Sequence, residues 1–576
     1  MYRYDNYDHQ MLADRVAQFR DQTTRFLAGE LSDAEFLPLR LQNGLYVQRL
    51  APMMRIAIPY GMLSSTQIRK LAYIADYYDK GYAHLTTRQN IQFNWPALAE
   101  VPDILEHLAE VEMHAIQTSG NCIRNTTTDQ FAGVSADEIE DARAYCEIIR
   151  QWSTFHPEFA YLPRKFKIAV CGTKRDQAAT QVHDIGLYIV RNQDGDIGFR
   201  VLVGGGLGRT PVIGSVIREF LPQEHLLSYL DAILRVYNRE GRRDNKYKAR
   251  IKILVKETGT EAFRDKVEAE WHAVKDGPMT LTQDEVERCR TFFHDPAYKD
   301  LPAHSNTLEH ALNTDVLFSA WYHQNVAAHK KTGYAIVTIC VKKTGFAPGD
   351  LDSEQMRFVA DTADTYSFGE MRIAHTQNIV FADVEKDALY QLWQDLKTQD
   401  LEADNLGLLS DMICCPGGDF CALANAKSIP IAESIQRRFS HAELREIGAL
   451  SLNISGCMNA CGHHHVGNIG ILGVDKKGEE YYQVSLGGSA DNNTSLGKIV
   501  GPAFSQEEIP VVIEKIVAVY KQSRQPEEEF LHTYKRIGME PFKDALYGSK
   551  ESGSKESGSK EPGTRESGNK PQGARA

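Results

Sequence analysis

Apolar residues recur at helical spacing in STQIRKLAYIADYY, where Ile68, Leu71 and Ala75 fall on one face, and a short polar stretch then runs to Gly81. This pattern predicts an amphipathic helix with a glycine stop, followed by an extended strand through HLTTRQNIQF. With the preceding run MMRIAIPYG as another strand, the pieces make a small α+β unit. In HLTTRQNIQF, the alternate positions His84, Thr86, Arg88, Asn90 and Gln92 share one strand face, and all of them are polar. Such a face is either a solvated edge or the wall of a binding cavity.

The pattern returns later in the chain. Residues 64–93 align without a gap on residues 352–381, so that Gln67, Arg69, Gly81 and Gln89-Asn90-Ile91 meet Gln355, Arg357, Gly369 and Gln377-Asn378-Ile379. A fainter match pairs Gln223, Glu224 and Tyr237 with Gln506, Glu507 and Tyr520, on helix-like segments after VLVGGGLG and VSLGGSAD. The chain therefore contains a duplication, each half carrying two modules. At 576 residues it needs several cores. The expected divisions are an N-terminal extension (1–44), a first small unit (45–117), a first larger α+β domain (118–332), a second small unit (333–405), a second larger domain (406–547) and a tail (548–576). The tail is a Gly/Ser/Lys/Glu repeat without large apolar residues and is expected to be disordered.

Composition narrows the function classes. The chain is 42% hydrophobic and 25% charged, as ordinary globular proteins are, and its apolar runs are too short to span a membrane. The N-terminus MYRYDNYDHQ lacks the order of a secretory signal, so a cytoplasmic location is expected. A formal charge of −12 argues against nucleic-acid or anionic-membrane partners. An anionic substrate would then need a local basic pocket.

Four of the ten cysteines form Cys415-x5-Cys421 and Cys457-x3-Cys461, the second pair in the Gly-flanked loop SGCMNACG. Thiolates from two loops can enclose one metal site. Structural zinc loops use tighter pairs than Cys415-x5-Cys421, whereas four-cysteine iron–sulfur ligation tolerates varied spacing. A cluster, a zinc site and free buried cysteines all remain open on spacing, and so does the choice between Cys414 and Cys415. The run His463-His464-His465 could ligate haem, meet anionic groups or do neither.

In YLPRKFKIAV, Lys165 and Lys167 stand two residues apart in a segment that reads as a strand, so both ammonium groups leave the same face. Like charges so placed repel, and a bound anion is the natural offset; two lysines on a solvated edge are the plain alternative. Arg55, Arg88 and Arg124 lie in neighbouring polar segments, and none is diagnostic alone.

Together, CCPGGDFC, SGCMNACG, LTTRQNIQF, GNCIRNTTTD, YLPRKFK and LVGGGLGRTP resemble the sirohaem-dependent nitrite and sulfite reductase family, in order and to about residue 540. The resemblance implies an internally duplicated α+β fold with pseudo-two-fold symmetry: paired ferredoxin-like half-domains plus two larger domains around sirohaem and a [4Fe-4S] cluster. It implies Cys415, Cys421, Cys457 and Cys461 as cluster ligands, with Cys461 bridging to the haem iron and Cys414 a bystander. Arg88, Arg124, Lys165 and Lys167 would bind the substrate, and Asn459 and Arg55 would face the cofactor. Where the first copy has His84 the second has Arg372, which the duplication offers as a partner for a sirohaem carboxylate.

The paired lysines of RKFK resemble sulfite-reducing members, which makes sulfite the expected substrate and nitrite the alternative; the loop CMNACGHHH departs from better-known sulfite-reducing members. A non-catalytic iron–sulfur sensor or electron carrier is the alternative of another class, but it would have no use for converging cations. VLVGGGLGRTP lacks the spacing of a dinucleotide fingerprint, so electrons must come from another protein, a ferredoxin or an NADPH-dependent flavoprotein.

Overall fold

In the computed structural model, which describes residues 1–48 and 50–548, the amphipathic segment is the helix Ser65–Tyr78. Ser64 caps it reciprocally with Gln67, and its repeat Ser353–Tyr366 is capped the same way by Asp352 and Gln355. Ile68, Leu71 and Ala75 are buried in a core shared by both small units. The predicted tail beyond Gly548 lies outside the described residues.

Each small unit carries a five-stranded sheet, and each sheet borrows one strand from the other half. Leu45–Val47, Pro52–Ile56, Ile91–Phe93 and Tyr82–Leu85 are completed by Asp350–Asp352; Val326–Ala328, Tyr334–Ile339, Ile379–Glu385 and Glu370–Ile373 are completed by Met62–Ser64. The exchange places Asp350 opposite His84 and Met62 opposite Arg372. Ion pairs between the two helices repeat the symmetry, with Arg69 on Asp364 and Arg357 on Asp76.

HLTTRQNIQF differs from its expected form. It is a hairpin, Tyr82–Leu85 and Ile91–Phe93, closed by Gln89 N–H donating to Thr86 O (3.0 Å) and Thr86 N–H to Asn90 O (2.9 Å). The turn carries no Gly or Pro signal because Gln89 itself takes φ 56°, as Gln377 takes φ 63° in the repeat. The glutamine side chains hold these conformations by reaching across the pseudo-two-fold: Gln89 Nε2 donates to Ile373 O (3.1 Å), and Gln377 Nε2 to Leu85 O (2.8 Å).

The larger domains repeat one topology. Thr127–Thr128, Ile168–Cys171, Ile185–Arg191, Ile197–Val203 and Ser215–Pro222 form one sheet, and Ile413–Cys414, Leu452–Ser455, Ile469–Lys476, Glu479–Leu486 and Lys498–Ile499 form the other. In both, the first two pairings are parallel and the last two antiparallel. Tyr237 and Tyr520 lie on the equivalent helices Leu226–Glu240 and Ile509–Ser523, each hydroxyl donating to a backbone carbonyl, Ala249 O and Glu528 O.

Candidate active site

A cavity of about 410 Å³ lies where the first hairpin, the 117–125 segment, the lysine segment and the cysteine loops meet. That volume is within the usual range for bound ligands. The whole polar face of the hairpin, His84, Thr86, Arg88, Asn90 and Gln92, lines it, so this face is a cavity wall and not a solvated edge. Thr87 at the tip donates to Cys461 O (2.9 Å), tying the hairpin to the second cysteine loop.

The arginines are held by backbone carbonyls and, for Arg88, a threonine hydroxyl as well. Arg88 donates to Thr127 Oγ1 (2.7 Å) and Asn125 O (2.6 Å), and Arg124 to Thr118 O and Gly120 O (both 2.7 Å). Burial brings the Arg88 guanidinium down to about 9, with Asp184 opposing the shift. Arg55 donates to Gln92 Oε1 (3.0 Å), while its buried Nε has no partner among the described residues.

The lysine segment is extended without being a regular strand, since the strand begins only at Ile168. Phe166 is fully buried, which leaves Lys165 and Lys167 together on the cavity side. Asp184 fixes the segment, accepting from Lys167 N–H (2.8 Å) and from Arg250 Nη2 (2.7 Å). Among the described residues, neither lysine Nζ has a hydrogen-bond or ion-pair partner. Burial lowers the Lys165 ammonium to about 7, with Cys461 opposing, and burial, then Lys165 and Arg88, holds Lys167 well below its ordinary value. Each is half-buried by area and lines the cavity.

Cys415, Cys421, Cys457 and Cys461 all line this cavity. Cys415 Sγ accepts from Gly456 N–H (3.2 Å), at a position where a side chain would strike Ala426 O at 2.5 Å, so the loop crossing requires glycine. Cys414 is also buried, but its thiol donates to Cys415 O (3.3 Å). Burial, then the neighbouring Cys461, pushes Cys415 up to about 12, and burial pushes Cys457 up to about 11. Among the described residues no three His, Cys, Asp or Glu groups converge tightly enough for one metal ion. The four thiols share one cavity wall, and four-cysteine ligation of that kind fits an iron–sulfur cluster. The cations, including the unpaired Arg55 Nε, suit a cofactor rich in carboxylates.

Asn459 also lines the cavity. Arg372 does not reach it, and the expectation that it meets a sirohaem carboxylate is corrected: it is 2% exposed and donates to Ala132 O (2.6 Å) and Gln130 O (3.1 Å), beside Glu370 at 3.2 Å. Nor do the three histidines line the cavity; His465 meets Gly208 O (2.9 Å), and His464 is buried with both ring nitrogens unpartnered. Gln377, marked in the sequence by the repeat but not as a site residue, also lines the wall, and its amide brackets Cys414, donating to its carbonyl (2.9 Å) and accepting from its N–H (2.8 Å).

Comparison with known proteins matches this arrangement. The family described as "Nitrite and sulphite reductase 4Fe-4S domain" matches residues 119–275 and 409–555, and "Nitrite/Sulfite reductase ferredoxin-like half domain" matches 48–111 and 328–399. The chloroplastic ferredoxin–nitrite reductase of Arabidopsis thaliana is 28% identical over 89% of this chain and 85% of its own. The sulfite reductase [ferredoxin] 1 of Mycolicibacterium paratuberculosis is 25% identical over 83% of this chain and 81% of its own. The Mycobacterium tuberculosis NirA structure shares the fold with a TM-score of 0.73 at 23% identity, covering 89% of this chain and 92% of that one. With its duplicated half-domains and its thiols and cations on one cavity, the chain belongs to the nitrite and sulphite reductase family, whose cofactors are a [4Fe-4S] cluster and sirohaem.

Proposed function

We propose that this chain is the catalytic subunit of an assimilatory sulfite reductase, reducing sulfite to sulfide by six electrons. The observation that carries the reading is the pair of unpartnered ammonium groups, Lys165 and Lys167, facing the same cavity as the four cysteines. Cys415, Cys421, Cys457 and Cys461 would hold the cluster, with Cys461 shared with sirohaem, and Arg55 and Asn459 would face the haem. When bound, the coupled cofactors supply the electrons.

The chain supplies position and charge. Arg88 and Arg124, fixed by backbone carbonyls, present a rigid cationic wall, and the two lysines close on the anion from the adjoining side. Lys165, brought to about 7, can give and regain a proton at Nζ near neutral pH as oxygens leave the substrate. The hairpin bond from Thr87 to Cys461 O keeps this wall in register with the cysteine loop.

Nitrite is the second reading, favoured by relatives such as the ferredoxin–nitrite reductases of Arabidopsis thaliana, Synechococcus elongatus and Oryza sativa. The same names support a ferredoxin as electron donor. Steady-state turnover of the holoenzyme with reduced ferredoxin, sulfite against nitrite, tests both points. A higher kcat/KM for sulfite, with sulfide recovered, is expected; a higher value for nitrite replaces sulfite by nitrite as the substrate.

A further inference from the structure

The duplication supplies an internal control for the lysine segment. Lys167 and Asp184 directly precede the strands Ile168–Cys171 and Ile185–Arg191, and Ser451 and Asn468 directly precede the matching strands Leu452–Ser455 and Ile469–Lys476. Both halves make the same backbone bonds at these positions. Ile185 N–H donates to Lys167 O (3.2 Å) and Ile469 N–H to Ser451 O (3.0 Å); Gly204 N–H donates to Asp184 O (3.0 Å) and Gly487 N–H to Asn468 O (2.9 Å). The side chains repeat the pattern as well: Lys167 N–H donates to Asp184 Oδ2 (2.8 Å) and Ser451 N–H to Asn468 Oδ1 (3.0 Å).

Only the chemistry of the acceptor differs. Asp184 is fully buried and carries Arg250, whose Nε and Nη2 donate to Oδ1 (3.0 and 2.7 Å) and whose Nη2 also reaches Oδ2 (2.8 Å). Arg250 precedes the helix Ile251–Thr258, and the residue in its place before the matching helix Phe530–Ile537 is the exposed Glu529. Asn468 instead donates to Gly488 O (2.9 Å). The second half therefore holds the same backbone geometry with a neutral amide, so the fold does not need a buried ion pair here, and such pairs add little net stability.

The charges occur in the half whose segment carries Lys165 and Lys167. After burial, Lys165, Arg88 and Arg250 are the influences that most lower the Lys167 ammonium, so the segment is under repulsion from its own neighbours. Arg88 Nη2 reaches Ile168 O (3.4 Å) from the cavity side, while Asp184 grips the adjoining N–H from behind. A carboxylate acceptor makes this bond roughly twice as strong as an amide would.

We propose that Asp184 and Arg250 are positioning residues of the anion site, clamping the root of the lysine segment so that both ammonium groups hold their places on the cavity wall before an anion arrives. Such preorganisation lowers the cost of binding and leaves the chemical step alone. No proton or electron moves through the clamp. The inference rests on the proposed function, in which Lys165 and Lys167 bind the substrate anion.

The test uses the holoenzyme of Asp184→Asn/Arg250→Gln, in which both charges leave together, the net charge is unchanged, and an amide can accept from Lys167 N–H as Asn468 does from Ser451. Arg250→Lys, which keeps the charge but not the two-pronged contact, is the milder companion. Haem and iron content are measured first, then hydrogen exchange, sulfite binding by the haem bands, and turnover. The clamp predicts full cofactor content and faster exchange in residues 164–168, with residues 448–452 unchanged as the reference. Sulfite KM and Kd should rise on the order of 10-fold in the double variant, and less in Arg250→Lys, with kcat held within about two-fold. Wild-type KM and Kd in the double variant would overturn the clamp, as would cofactor loss or a kcat that falls at unchanged KM, which marks the pair as structural. Should the double variant not fold, wild-type KM and exchange in Arg250→Lys overturn it equally. A wild-type enzyme that reduces neither anion overturns the proposed function instead, and exchange and Kd still decide whether the clamp holds the segment.

Discussion

Replacing Lys167 by glutamine keeps a hydrogen-bonding side chain on the cavity wall and removes the ammonium that a bound anion holds protonated, against the burial and the neighbouring Lys165 and Arg88 that lower it. At an effective dielectric of about 20 and roughly 4 Å, an ammonium attracts each unit of anion charge by about 4 kcal/mol before desolvation is counted. A charge-assisted hydrogen bond retains a net of about 1.5–3 kcal/mol. At about 1.36 kcal/mol per tenfold, kcat/KM should fall roughly 10- to 150-fold. Sulfite, the more highly charged anion, should lie near the upper end and nitrite near the lower. Folding should not suffer: the Lys167 side chain bonds to no protein group among the described residues, its N–H bond to Asp184 belongs to the backbone, and its removal relieves repulsion from Lys165 and Arg88. The assay is steady-state turnover of both anions alongside thermal unfolding and haem content. A Lys167→Gln enzyme with wild-type kcat/KM for both anions would refute the argument; so would a loss of activity that merely tracks a loss of cofactor.

Arg372→Ala should destabilise the fold by about 1–3 kcal/mol, because it leaves two buried carbonyls without their donor while Glu370 keeps Arg143, and haem per folded molecule should stay at the wild-type level; urea unfolding and haem content measure both. Cys415→Ser should lose cluster iron whereas Cys414→Ser retains it, as iron analysis and EPR of the reduced proteins will show. Burial, then Arg150, lowers His114 to about 3, below its ordinary value of about 6.5, so the unfolded chain binds a proton that the folded chain refuses. Stability present above pH 6.5 is then lost toward pH 3, by up to about 1.4 kcal/mol per pH unit. His114→Asn, which keeps an acceptor for Ile116 N–H, should flatten this slope in urea titrations between those limits.

The duplication could be read in the residues because Gln89-Asn90-Ile91 and Gln377-Asn378-Ile379 retain identities that both hairpins need: a left-handed glutamine clasped by the opposite half. The strand exchange could not be read, since a period-two pattern names a face and no partner. The hairpin turn was hidden for a related reason. Its positive φ is held by long-range bonds, Gln89 donating to Ile373 O and accepting from Thr128 N–H, and no local glycine marks it. Equivalence to His84 in the repeat does not tell where Arg372 lies, since the pseudo-two-fold carries it to the opposite wall against Gln130 and Ala132. The relation of His84 to Asp350 was likewise invisible, as it depends on a strand supplied by the other half.

The central claim is that thiols and cations on one cavity make a single site for cluster, haem and anion. Its most direct test is an ultraviolet-visible titration of anaerobically purified protein with sulfite and nitrite, run beside Cys421→Ser and Lys165→Met. The account predicts sirohaem bands that shift on anion binding, weakened binding with intact bands in Lys165→Met, and altered bands with cluster loss in Cys421→Ser. A protein that stays colourless after reconstitution with sirohaem and iron–sulfur, or haem bands indifferent to both anions, would contradict it.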